Sequence, residues 1–230
     1  MDPNSMFDQI LEEFADGAHT DQVRQARQEF FEQVSDVRED DPSYEKLTSC
    51  FLNWYIYDRP MDGGPDTPLQ IFASRPGRDQ AQREECARLA ANLHSLFAIL
   101  RIEEHGLLLV DLFSLEELQV SERRHLAGLE KGDLLEARLM PLSDRLVFSP
   151  AATILHARAA QALIRASVER SRRDALPSRE KLLARLRALT FRFTDRYRER
   201  VPVEKVFGDL ESFTGLEPQT EAEQVSAPDD

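Results

Sequence analysis

Residues 95–113 read SLFAILRIEEHGLLLVDLF, and this stretch decides the fold class. Its apolar residues come in short runs broken at His105-Gly106, not at the spacing of three and four that marks a helix face. Three similar runs follow: LQVSE, DLLEARLMPL and DRLVFSP, with turn signals at Gly132-Asp133 and Ser143-Asp144. Five short antiparallel strands over 96–149 predict a small β module, either a curled sheet or a closed barrel.

On both sides of this module the period is helical. Phe7, Ile10, Leu11 and Phe14 share one face. So do Val23, Ala26, Phe30, Val34 and Val37, and, after a start signal at Asp41-Pro42, Leu47, Phe51, Trp54 and Tyr55. Pro60, Gly63-Gly64 and Pro65 stop that helix, and Thr67-Pro68 reads as the N-cap and first turn of the next. Residues 79–95 are read as helix. Helix returns from Pro150, breaks at Pro177, and resumes over 178–200. The expected fold is α+β: an N-terminal helical cluster (1–95), the β module (96–149) and C-terminal helices (150–214). Residues 1–212 are expected to form one compact unit. From Gly215 the chain holds almost no large apolar residue, and 215–230 is read as a disordered acidic tail.

The composition is that of a globular chain, 41% hydrophobic and 31% charged. The start of the chain lacks the basic flank and apolar core of a secretory signal, and no apolar run approaches the ~20 residues of a membrane span. Two cysteines, Cys50 and Cys86, make no disulfide framework, so a reducing cytoplasm is expected. The net charge of −13 is uneven. Residues 1–85 carry 19 acids and 8 bases, residues 156–200 carry 5 and 13, and residues 201–230 carry 8 and 1. Such a basic block either serves an anionic partner or is neutralised by acidic parts of the same fold.

The order of motifs resembles that of an uncharacterised bacterial protein family. It begins with the helix end FLNWYIYD (51–58) and a TPL helix start (67–69), and leads into a β module containing GDLLEAR (132–138). Some relatives in that family carry a zinc motif like the one that ends the SecA translocation ATPase; this chain has no matching Cys/His cluster. The resemblance implies an architecture and a bacterial cytosolic setting, with no activity to carry over.

The residues say little of chemistry. His19, His94, His105, His125 and His156 are scattered, with no metal-ligand spacing, and no metal or cofactor is expected. G-x-S-x-G and phosphate-cradling glycine loops are absent, and the acidic pairs are those of an acidic chain, so no catalytic residue is assigned. Phe51 and Trp54 are read as structural anchors between helices and β module. Tyr55, Tyr57, Asp58 and Arg59 are the candidates for a ligand groove, the arrangement an enzyme would need.

In the last long helix Leu182, Leu186, Leu189, Phe193 and Tyr197 form one apolar stripe, while Phe191 falls about 180° from Leu182 at ~100° per residue. Phe191 with Arg187, Arg192 and Arg198 is therefore either the candidate binding face or a surface that a preceding element of the chain covers. The expected function is that of a non-enzymatic adaptor holding a protein partner there. The runner-up is a nucleic-acid-associated regulator using the same face, which the overall acidity disfavours. The acidic tail is expected to fold over this helix and compete with the partner.

Overall fold

The computed structural model describes residues 3–15, 17–34, 42–121, 128–142, 144–149 and 153–215. Val37, Asp41 and the tail from residue 216, to which expectations were attached above, lie outside these segments. The described chain is α+β, as its periodicities predict.

Five helices precede the first strand: α1 Pro3–Ala15, α2 Thr20–Val34, α3 Tyr44–Tyr57, α4 Pro68–Ser74 and α5 Gln80–Ala90. Thr67 caps α4 as its sequence requires. Its hydroxyl accepts from the Gln70 amide, and the Gln70 side chain accepts from the Thr67 amide at 2.7 Å. Asp79 and Gln82 repeat the device on α5. The apolar faces of these helices meet in one cluster containing Met6, Ile10, Phe14, Phe30, Leu47, Phe51, Tyr55 and Ile56.

The strands are β1 Leu93–Glu103, β2 Gly106–Asp111, β3 Glu117–Ser121, β4 Leu134–Leu142, β5 Arg145–Phe148 and β6 Ile154–Leu155. The first strand therefore begins within the span read as helix, because Leu93–Leu96 pairs with Glu136–Leu139 of β4. The pairings β1–β2–β3–β5–β4–β1 close a ring, with β3 and β5 parallel and the others antiparallel. This is the arrangement of an OB-type Greek-key barrel. A register shift between Ile99 and Arg101 marks the bend in β1, which pairs with β4 along its first half and with β2 along its second. Phe97, Ile99, Leu107, Leu109, Val120, Leu135, Ala137 and Leu139 fill the interior. A Cβ at Gly106 would run into the carbonyl oxygen of Val120, so the start of β2 needs glycine.

After β6 come α6 Gln161–Asp174, α7 Arg179–Phe191 with a five-residue π-helical turn (Arg192–Arg196), and the short α8 Glu204–Phe207. Leu182, Leu183, Leu186 and Leu189 of α7 pack with Ile164 and Val168 of α6, Val206 and Phe207 of α8, and the outer face of β1 at Leu96 and Ala98. The opposite face of α7 reaches the N-terminal cluster through Phe191. With both faces covered, α7 is the central rod of the molecule.

Candidate functional site

Along β4, Leu135, Ala137 and Leu139 point into the barrel, so alternation turns Glu136 and Arg138 outward. Outward here means into the junction with α3 and α7, because helices cover that side of the sheet. Glu136 is 2% exposed. Arg187 of α7 binds it through Nη2 and, at 3.0 Å, through Nε. The guanidinium also lies 5.2 Å from the centre of the Phe30 ring of α2. His94 Nε2 of β1 is 3.1 Å from the same Glu136 oxygen, and His94 Nδ1 is 3.8 Å from Asp58 Oδ2 at the end of α3. Asp58 in turn binds Arg138, which also donates to Asn92 and covers the Tyr57 ring at 4.8 Å.

Burial alone would raise the Glu136 carboxyl, but the adjacent Arg187 charge and the His94 contact outweigh it and hold the group down at about 2. His156, which follows β6, is fully buried, and burial lowers it to about 4 against the pull of Glu136. Its Nδ1 lies 2.6 Å from the Thr190 hydroxyl of α7. Its Nε2 faces Glu136 Oε2 at 4.0 Å, too far for a hydrogen bond, and neither atom has a hydrogen-bond partner among the described residues. Burial also pushes the Cys50 thiol up to about 11 and the Tyr57 hydroxyl to about 12. The space enclosed by Cys50, Asn53, Trp54, His94, Glu136, Arg138 and Arg187 is about the size of one water molecule. The arrangement can fix charges and lock α3, α7 and the barrel together; it has no room for a substrate. Among the described residues no group of three or more His, Cys, Asp or Glu side chains is placed to hold a metal ion.

Of the two readings of Phe191, the structure shows the covered one, and the exposed binding face is corrected. It is 4% exposed and packed in the N-terminal cluster, and Arg187 is 6% exposed. The reason is the second layer: α2 crosses the face of α7 that the leucine stripe leaves free. Arg192 is half-buried and Arg198 exposed; the exposed aromatic of this region is Tyr197, on the turn after α7. The four residues do not form one face.

The expected groove at Tyr55–Arg59 is likewise absent as a groove. Tyr55 is fully buried, its hydroxyl donating to the Phe14 carbonyl at 2.9 Å. Arg59 is buried on Glu29 at 2.7 Å and on Asp62 at 3.2 Å. Tyr57 is half-buried under Arg138, and Asp58 is exposed at the end of α3, outside the narrow space beside His94. Phe51 and Trp54 pack on α2, with ring centres 5.8 and 5.6 Å from that of Phe30, and Trp54 reaches the β4 side through the same small space.

Ion pairs crossing between the charge blocks account for part of the uneven charge. Arg138 meets Asp58, Arg187 meets Glu136, Arg158 meets Asp133 and Glu130, and Arg185 meets Asp209. Arg172 and Arg179 belong to the arginines that have no carboxylate partner among the described residues, and they share one site. They line an open hollow of about 360 Å³ between the end of α6 and the start of α7, together with Ser171, Ala175, Pro177, Ser178 and Phe113. Arg179 is held in place over the Phe113 ring at 5.4 Å.

These features define an α+β protein in which helices wrap a closed five-stranded barrel and meet it through a buried Glu–Arg pair. The chain belongs to the Family of unknown function (DUF7986), whose sequence profile matches residues 8–180. No curated protein and no solved structure matches it.

Sequence reasoning passed over Glu136 and Arg138 because their strand read as an apolar run. The available signal was two charges at i and i+2 on such a strand, which places both on one covered face. Arg172 and Arg179 carried no signal, because only tertiary packing decides which arginines meet a carboxylate and brings these two, without one among the described residues, to the same hollow.

Proposed function

We propose that the protein is a non-enzymatic interaction protein, an adaptor that holds an acidic segment of a protein partner at the arginine-lined hollow between α6 and α7. One observation carries this reading: Arg172 and Arg179 face the same hollow with no carboxylate partner among the described residues, where many other arginines are paired. An unpaired guanidinium presents a planar fork of donors to a carboxylate. A bacterial cytoplasm is the setting assigned to it, supported by two buried, unpaired thiols; no described helix is long and apolar enough to cross a membrane.

OB-type barrels commonly bind oligonucleotides across the outer face of their second and third strands. Here that face and its rim carry Glu103, Glu104, Glu116, Glu117 and Gln119, with Arg101 held by Glu103. Clustered carboxylates repel phosphates, so the barrel lends no weight to nucleic-acid binding. The one-water space beside His94 argues in the same way against a substrate there.

The test is fluorescence anisotropy with a labelled glutamate-rich 12-residue peptide, and in parallel a labelled single-stranded oligonucleotide of equal charge. The peptide is expected to bind, and Arg172→Glu with Arg179→Glu to weaken it at least ten-fold. Absence of peptide binding, or indifference to the double substitution, overturns the reading. Tighter binding of the oligonucleotide, with a steep salt dependence, would favour nucleic acid instead.

A further inference from the structure

The described chain ends beside the hollow. Gly215 accepts a hydrogen bond from Lys181 Nζ at 2.7 Å, and a Cβ at Gly215 would lie 2.9 Å from Cβ of Pro177, which lines the hollow. Arg170 fixes the approach to this point by donating to the carbonyls of Leu210, Glu211 and Phe213. The next fifteen residues, LEPQTEAEQVSAPDD, hold five acids and no base. Glu217 is two residues past Gly215, within roughly 7 Å of chain, and Glu221 and Glu223 follow. Their charges match those of Arg172 and Arg179.

We propose that residues 216–230 are the resident occupant of the hollow: their carboxylates pair with Arg172 and Arg179, and a partner must displace them. This rests on the reading of the hollow as an acidic-segment site and adds its regulation. The occupant is chosen by position and charge. It enters at the rim, so its effective concentration is on the order of millimolar, far above that of a free partner. With an intrinsic Kd of the segment for the hollow on the order of 0.1 mM, that concentration weakens the binding of any competing peptide about ten-fold.

The experiment uses the full chain in two forms: the natural one, and one with Glu217, Glu221 and Glu223 changed to Gln and Asp229 and Asp230 to Asn. The probes are the labelled glutamate-rich peptide and a labelled synthetic peptide of residues 216–230. Both are expected to bind the neutralised chain about ten-fold more tightly than the natural one. Adding Arg172→Ser and Arg179→Ser to the neutralised chain should abolish that gain. Equal affinity for natural and neutralised chains overturns the resident-segment proposal and leaves the hollow as a partner site. A gain that survives the two arginine substitutions also overturns it, because the segment would then act elsewhere. Failure of both peptides to bind either chain sinks the reading of the hollow itself. Urea midpoints for the three chains check that all are folded, since Arg172 is exposed but Arg179 is half-buried over Phe113.

Discussion

Replacing Arg187 by Met is expected to unmask the charge of Glu136. Met keeps much of the side chain's length and its apolar contact with Phe30, so packing is largely conserved and the electrostatic loss dominates. Glu136 is then left buried without its strongest partner. It either stays ionised in a poor environment or takes up a proton, and at pH 7 protonating a carboxyl whose ordinary value is 4.5 costs about 3 kcal/mol. With the lost hydrogen bonds the expected cost is about 3–5 kcal/mol, as for other broken buried pairs. Removing both partners, Glu136→Leu with Arg187→Met, leaves no unpaired charge, and the double variant should be more stable than Arg187→Met alone. The sign with pH is distinctive. In the variant, burial raises the Glu136 pKa, so its penalty relative to the natural chain should shrink as pH falls from 7 toward 5. The assay is urea unfolding of the natural chain, both single variants and the double variant at each pH. A cost below about 1 kcal/mol for Arg187→Met, or simple additivity in the cycle, would refute the view that this pair locks α7 to the barrel.

Two further outcomes follow from the same geometry. His156 is held near 4 from an ordinary 6.5, so between those values the unfolded chain binds a proton that the folded chain refuses. Its contribution is present above 6.5, and about 3 kcal/mol of it is lost as pH falls toward 4. Glu136, lowered to about 2, adds its own loss only below 4.5; His156→Gln should flatten the urea-midpoint profile between pH 6.5 and 5, and parallel profiles would contradict this. Gly106→Ala places a methyl against the Val120 carbonyl and should cost about 2 kcal/mol in urea unfolding, with a neutral result showing that the β2–β3 contact gives way.

The sequence by itself determined most of the helices and five of the six described strands, because these rest on local periodicity and on caps whose partners are three residues apart. The start of β1, and β6 within the span read as helix from Pro150, rest instead on pairing with β4. Thr67 with Gln70, and the alternation through 95–113, needed no knowledge of the rest of the chain. The acidic ends and basic middle were also legible, but not which charges cancel. Tertiary structure alone decided that the strands close into a ring with β3 parallel to β5, since that pairing joins residues distant in sequence. It also decided the fate of Phe191. A helical wheel shows where a side chain points, not how many layers stand in its way, and α2 lies across the direction Phe191 takes. The same long-range packing set Arg187 on Glu136 and left Arg172 and Arg179 without a carboxylate among the described residues. Pairing of charges more than 50 residues apart is a property of the assembled core, and local sequence carries no trace of it.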